Sequence, residues 1–129
     1  MDVYVNGNNE FRFEADGDFH ADGDVVAFSS TTASDSRLKS DIHTINDALG
    51  TVGKLRGVSY KWLRDGKADI GVIAQEVEEV LPEVVKTKTT LGLDGEEEMK
   101  TVDYGKIVGV LINAINELKA EVEELKGGK

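Results

Sequence analysis

Residues 103–126 read D-Y-G-K-I-V-G-V-L-I-N-A-I-N-E-L-K-A-E-V-E-E-L-K, and this stretch decides the fold. Asp103 is a suitable N-cap, and the pattern predicts a helix from about residue 104 to residue 126. Its apolar residues recur with the a/d spacing of a heptad repeat, and glutamate and lysine fill most outer positions from residue 117 onward. The predicted seam consists of Val108, Leu111, Ile115, Leu118, Val122 and Leu125.

The seam allows two interpretations. The helix could pack on its own domain, or it could form a coiled coil with other copies of the chain. A seam that continues to Leu125, beyond what a small core needs, favours self-association. β-branched residues at a with leucine at d nominally favour two strands, so the heptads alone leave the oligomer number open.

Upstream of this helix the sequence alternates between helical and strand patterns. A short helix is expected over 41–49, because Ile42, Ile45 and Leu49 recur at helical spacing and Gly50 can end it. Strand patterns, turn signals and a second helical pattern predict an α+β fold, with a small twisted antiparallel sheet, short helices and the long C-terminal coiled-coil helix. The expected elements are strands 58–62 and 70–73 around a turn at 64–67, a helix over 74–81 stopped by Pro82, and a hairpin of 84–87 with 99–102 that turns at Asp94-Gly95.

Residues 1–33 differ from the rest of the chain. They carry seven acids and one base, a net charge of −6, whereas residues 34–129 have a net charge of −4. Alternating apolar residues with Asn6-Gly7 and Asp16-Gly17 predict short antiparallel strands. Strands this short cannot bury a face alone, so the segment is expected to be the end of a longer, intertwined β-structured shaft. The repeated A-D-G-D at 15–18 and 21–24 is interpreted as turn chemistry, with a calcium site as the alternative.

Composition excludes several classes of site. With no cysteine and two histidines, neither a disulfide framework nor a thiolate or histidine-rich metal site is expected, and no cofactor is predicted. The net charge of −10 argues against nucleic acid as a partner. Because no apolar run approaches the roughly 18 residues of a membrane helix, no membrane partner is expected either.

One hexapeptide lies on the composition boundary: Ser34-Asp35-Ser36-Arg37-Leu38-Lys39. A serine five residues before a lysine is by itself a weak signal, and a polar linker with a capping serine explains it equally well. The two histidines, His20 and His43, are interpreted as surface or packing residues, with His43 on the predicted helix 41–49. Glu76, Glu78 and Glu79 are interpreted as a solvated helix face.

The order of several blocks resembles a known family, the C-terminal intramolecular chaperone domains of phage tail spikes and tail fibres, of the endosialidase self-cleaving type. The resemblance covers about residues 34–126. The most specific block is G-V-I-A-Q-E-V-E-E-V-L-P-E-V-V at 71–85. The others are S-D-S-R-L-K (34–39), D-I-H-T-I-N-D-A-L (41–49), G-V-S-Y-K-W (57–62), V-D-Y (102–104) and L-I-N-A-I-N-E-L-K (111–119).

The resemblance implies a function that composition does not show. Such a domain trimerises, helps three chains wind into a β-structured shaft, and then cuts itself off, which places the cut between Ala33 and Ser34. Ser34 is then the nucleophile and Lys39 the general base, with Asp35 and Arg37 as possible supporting residues. Arg37 could be a cationic neighbour of Lys39 or could instead pin Asp35.

The resemblance also implies where and on what the domain acts. Residues 1–33 form the end of the trimeric fibre shaft and residues 34–129 the auto-processing domain. The implied partners are two further copies of the chain and the shaft itself. Assembly takes place in the host cytoplasm, after which the shaft ends in the virion tail fibre and the chaperone part is released.

The chemistry behind these roles is general. A serine hydroxyl needs a base to become a good nucleophile, and a lysine can serve only when it is neutral, which requires burial or a cationic neighbour. Attack by Ser34 on the peptide bond of its own chain and attack on another chain both remain open. Two other functions also remain open, a permanent non-cleaving trimer cap and a receptor-binding fibre tip.

Overall fold

The chain divides into two units, Met1–Ile42 and His43–Lys129. The structure is a computed structural model that describes residues 1–88 and 98–127. The composition boundary between residues 33 and 34 lies within the first of these units.

The first unit contains a three-stranded antiparallel sheet. Its strands are β1 (Asp2–Val5), β2 (Asn8–Phe13) and β3 (Phe19–Ala21), in the order β1-β2-β3. Asn6 and Gly7 lie in the left-handed region at φ 52° and 83°, as the tight turn between β1 and β2 requires. The predicted strands and the Asn6-Gly7 turn are therefore confirmed.

The sheet presents aromatic side chains that the described residues leave half exposed. Phe19 packs on Phe11 and on Phe13, with ring centroids 6.3 and 5.2 Å apart. Phe13 and Phe19 nevertheless keep about half of their surface in solvent, at 50% and 52%. The sheet has only three short strands, and it does not bury these rings.

The described residues of the second unit form two antiparallel strand pairs, two short helices and one long helix. In chain order they are α1 (Ala48–Gly53), β4 (Val58–Lys61), β5 (Ala68–Gly71), α2 (Ala74–Val80), a 3-10 turn (Pro82–Val84), β6 (Val85–Lys88), β7 (Met99–Val102) and α3 (Tyr104–Gly127). β4 pairs with β5 and β6 with β7, both antiparallel. The α+β class is thus confirmed, although the described strands of this unit form two separate two-stranded sheets instead of the expected single sheet. The predicted turn at Asp94-Gly95 lies outside the described residues.

The expected helix over 41–49 is wrong. The first helix of this unit starts only at Ala48, and Gly50 lies inside it instead of ending it. Asp41 and Asp47 both adopt left-handed backbone angles, with φ of 54° and 51°, and such residues interrupt a right-handed helix. Aspartate tolerates this conformation because its side chain offers local hydrogen bonds in place of helical ones. His43 therefore does not lie on a helix.

A small core holds the second unit together. Its buried residues come from the three described helices and from the segment that follows α2, and all of them are aliphatic. They are Ala48, Val77, Leu81, Val84, Val85, Val110 and Ala114. α3 thus contributes one face, through Val110 and Ala114, to the core of its own unit.

Glu117 of α3 caps the distant N-terminus of α1. Its two carboxylate oxygens accept hydrogen bonds from the backbone N–H groups of Ala48 and Leu49, at 2.8 and 3.2 Å. The side chain of Asp47, the N-cap residue itself, makes no capping bond. The first N–H groups of a helix have no partner within it, so a carboxylate at this end satisfies them and complements the helix dipole.

Tyr104 joins the start of α3 to the segment after β5. Its hydroxyl accepts a hydrogen bond from the backbone N–H of Val72, 3.1 Å away. Gly71 leaves the space that this hydroxyl occupies, since any side chain there would collide with it. Two separate sequence blocks, G-V-I-A-Q-E-V and V-D-Y, therefore meet at one contact.

Candidate functional site

Residues 34–39 form a tight turn in the first unit. A single 3-10 turn spans Ser36–Leu38, and Asp35 caps it by accepting the backbone N–H of Arg37 at 2.9 Å. The backbone N–H groups of Leu38 and Lys39 donate to the carbonyl oxygens of Asp35 and Ser36, at 3.0 and 3.1 Å. The capped turn thus lies between Ser34 and Lys39, one on either side of it.

The turn brings Ser34 and Lys39 into direct contact. The Lys39 amine donates a hydrogen bond to the Ser34 hydroxyl oxygen, with 2.6 Å between Nζ and Oγ. This distance lies within the range in which a base can take a proton from a nucleophile. The two residues singled out for nucleophile and base are therefore hydrogen-bonded neighbours.

Arg37 binds Asp35. Its Nε and Nη2 atoms donate to the two carboxylate oxygens of Asp35, both at 3.1 Å, in the forked geometry that suits a carboxylate. The side-chain hydrogen bonds from Arg37, and next the one from its backbone, hold the pKa of Asp35 below its usual value. The same contact raises the pKa of Arg37. Of the two alternatives left by the sequence, the structure therefore places Arg37 against Asp35.

The sign of this shift sets its pH dependence. The pKa of Asp35 is lower in the folded turn than in the unfolded chain. The ionised carboxylate therefore stabilises the turn at pH values above its unfolded pKa, near 3.9. That contribution is lost as the pH falls through the lower folded value. At neutral pH the Asp35–Arg37 pair is therefore fully charged.

Both ends of the turn are open to solvent. Every residue from 31 to 40 is exposed. Among residues 1–88 and 98–127, no hydrogen bond reaches the carbonyl oxygen of Ala33, the atom on which negative charge would develop during cleavage. One copy of the described chain thus brings the Ser34 hydroxyl and the Lys39 amine together and leaves both exposed to solvent.

A second candidate feature is the outer face of α3. All six residues of the predicted seam are exposed, from 41% for Leu111 and Val122 to 81% for Leu125. Ile112, also on α3, adds a further apolar side chain that is 54% exposed and that the heptad pattern does not include. The core of the unit uses Val110 and Ala114, which are not seam positions. The helix therefore has one face for its own domain and a separate apolar face in solvent.

The other residues considered from sequence take part in local contacts. His20 Nε2 lies 2.6 Å from a carboxylate oxygen of Asp22. Asp16 accepts the backbone N–H of Asp18 at 3.0 Å, which is turn chemistry. Within the described part of the chain, no three metal-binding side chains cluster.

The acidic face of α2 is only partly solvated. Glu76 accepts two hydrogen bonds from Arg56, at 2.6 and 3.1 Å, and these bonds lower the pKa of Glu76. Glu78 accepts one from Lys100 at 3.0 Å. Neither pair could be predicted from the sequence pattern, because the partners lie 20 and 22 residues apart.

None of the described helices combines the length and the apolar character needed to cross a membrane. α3 is long enough, at 24 residues, but carries many charges.

Comparison with known proteins gives two results. Residues 34–86 match the family described as chaperone of endosialidase. The chain is also 34% identical, over 98% of its length, to the long tail fiber protein Gp37 of Enterobacteria phage K3. It is 33% identical, over 92% of its length, to the protein of the same name from Enterobacteria phage M1.

The chain spans only part of these relatives, 10% of the K3 protein and 49% of the M1 protein. The family match starts at Ser34, the first residue of the hydrogen-bonded turn. Residues 34–86 therefore match the chaperone-of-endosialidase family, within a sequence that is similar along nearly its whole length to phage long tail fibre proteins.

Proposed function

We propose that residues 34–129 are an intramolecular chaperone of a phage tail fibre, which trimerises, assists winding of the shaft and then cuts itself off between Ala33 and Ser34. The observation that carries this proposal is the Ser34–Lys39 hydrogen bond at the first residue of the family match. The tail fibre proteins among the relatives support the choice of a fibre as the client. Residues 1–33 are, on this proposal, the end of the shaft.

The bonds made and broken in the proposed cleavage involve only Ala33, Ser34, Lys39 and water. Lys39, once neutral, takes the hydroxyl proton of Ser34 while Oγ attacks the carbonyl carbon of Ala33. The C–N bond breaks, the proton passes to the departing amine of Ser34, and an ester joins Ala33 to Oγ. Water then hydrolyses the ester, which leaves a carboxylate on Ala33 and a new N-terminus at Ser34. Each chain does this once.

Assembly is the proposed trigger. In one chain the Ser34 hydroxyl and the Lys39 amine are exposed, and solvent favours the charged form of an amine. Further copies packed around the turn would exclude water and supply hydrogen-bond donors for the Ala33 carbonyl oxygen. Cleavage then follows correct assembly and does not precede it.

The apolar face of α3 supports the proposed association. Its six exposed seam residues have coiled-coil spacing, and burying them between copies removes apolar surface from water at about 25 cal/mol per Å². Held in one bundle, three copies of the shaft segment meet at an effective concentration on the order of millimolar. That benefits intertwined strands, whose non-local pairing is slow to form.

The same proposal accounts for the half-exposed rings of the N-terminal sheet. Phe13 and Phe19 would be covered by strands of the other copies in a wound shaft. Once wound, the shaft no longer needs the chaperone, because unwinding it is slow. The shaft remains in the virion and residues 34–129 are released in the host cytoplasm.

Incubation of the purified chain, followed by a denaturing gel over time, tests the proposal. We expect two fragments, of 33 and 96 residues, the larger beginning at Ser34. The Ser34→Ala variant should stay intact. An intact wild-type chain that behaves like Ser34→Ala would instead indicate a permanent trimer cap. A mature fibre that keeps residues 34–129 and loses host attachment without them would indicate a receptor-binding tip.

A further inference from the structure

The turn at residues 34–39 holds one carboxylate and two cations, and only one of the cations binds the carboxylate. Asp35 is bound by Arg37 through three hydrogen bonds, one from the backbone and two from the guanidinium. Lys39 instead donates to a neutral hydroxyl. Among the described residues, no carboxylate lies within ion-pair distance of the Lys39 amine.

Simple electrostatics would favour a bond between the Lys39 ammonium and a carboxylate, yet Lys39 binds a hydroxyl. An ammonium group binds a carboxylate more strongly than it binds a hydroxyl. Asp35 directly follows Ser34, whose hydroxyl Lys39 already reaches, so a free Asp35 carboxylate would lie within reach of the same amine. Pairing with it would stabilise the protonated amine and draw it away from the nucleophile.

Arg37 is suited to prevent that pairing. Its planar fork matches both carboxylate oxygens at once, which a lysine amine cannot do. The backbone N–H of Arg37 adds a third bond to the same carboxylate. Asp35 is thereby turned toward residue 37, and its negative charge is balanced by the guanidinium of Arg37.

We infer that Arg37 is a positioning residue for self-cleavage: it sequesters Asp35, so that Lys39 keeps its bond to Ser34 and can lose its proton. The inference rests on the proposed function and assigns to Arg37 a positioning role within that same site. Asp41 is the other acid near Lys39 in sequence, and no hydrogen bond or ion pair connects the two. Asp35 is therefore the carboxylate that Arg37 has to control.

The test uses three variants of the whole chain. Arg37→Gln frees Asp35, Asp35→Asn removes the competing charge, and the double variant does both. Asparagine is as good a helix-capping residue as aspartate, so Asp35→Asn keeps the bond to the backbone of residue 37. The readout is the rate of cleavage between Ala33 and Ser34 as a function of pH.

For Arg37→Gln we expect the pH–rate profile to move to higher pH by about half to one unit, so that cleavage at neutral pH slows roughly 3- to 10-fold. The maximal rate at high pH should be unchanged. The double variant should regain the wild-type profile. An unchanged profile for Arg37→Gln overturns the inference. A double variant as slow as Arg37→Gln overturns it too, because Arg37 would then act directly as a cation near Lys39.

A second measurement separates this inference from the proposed function. In the Ser34→Ala background, which cannot cleave, NMR can follow the titration of the Lys39 amine. Adding Arg37→Gln should raise its midpoint by about half a unit or more, and adding Asp35→Asn as well should reverse the shift. Absence of cleavage in the wild type would contradict the proposed function, whereas a Lys39 titration insensitive to Arg37 would contradict only the inference.

Discussion

Replacement of Lys39 by methionine is expected to slow cleavage between Ala33 and Ser34 by roughly 100-fold or more. The only hydrogen bond or ion pair of the Lys39 side chain among the described residues is the one to the hydroxyl of Ser34, so its loss removes the proposed proton acceptor and no other polar interaction. Lys39 is exposed, and methionine replaces its unbranched stem while removing the amine. The fold and the association should therefore be unaffected, and a gel time course measures the effect.

Two further variants make this prediction specific. Lys39→Arg keeps a donor to Ser34 but cannot lose a proton, so it should be as inactive as Lys39→Met. Lys54→Met makes the same change at another exposed lysine, and it should cleave at the wild-type rate. If Lys39→Met cleaved as fast as Lys54→Met, Lys39 would not be the base.

Leu118→Asp is expected to convert the proposed trimer to monomers. Leu118 lies in the middle of the α3 seam and is 48% exposed in one chain, so the assembly would bury one new carboxylate per copy. Burying unpaired charges close together costs several kcal/mol each. Light scattering on the purified variant measures the mass. Because association is the proposed trigger, the variant should also remain uncut.

Lys119→Asp is the matched control for this change. It places the same residue one position along the same helix, on an exposed site outside the seam. The control should stay trimeric. Circular dichroism should show helical content in both variants, since Val110 and Ala114 still pack α3 on its own domain. A Leu118→Asp protein that remains trimeric would show that the α3 seam does not mediate association.

Elements with strong local signals could be predicted from sequence. α3 begins and ends within one residue of the predicted helix 104–126, because its cap, period and terminal glycines agree. The Asn6-Gly7 turn and the pairing of β6 with β7 were predictable because turn residues and strand patterns of nearby segments agree. Each of these features depends on residues close together in the chain.

Features that depend on distant residues were not predictable. α1 starts at Ala48, where Glu117 supplies the cap from 69 residues away, and the apolar spacing before it was misleading. The pairing of Glu76 with Arg56 could not be predicted from the sequence either. In these cases tertiary contacts decide between local alternatives that have similar energies.

The candidate site lies between these two cases. A separation of five residues is not a helical neighbour spacing, so no pattern rule brings Ser34 to Lys39. The family resemblance singled out both residues, and the capped turn explains the contact between them. The partner of Arg37 could not be predicted, because Asp35 and Lys39 lie at the same separation of two residues from it.

Assembly of residues 34–129 is proposed to trigger their own release. Separation of the purified protein by size, followed by the intact mass of each fraction, tests this order of events. We expect the trimer fraction to contain residues 34–129 cut at Ser34, with the piece 1–33 bound or free, whereas monomers, including the Leu118→Asp protein, keep the mass of all 129 residues. A stable trimer of uncut chains, or monomers cut between Ala33 and Ser34, would contradict it.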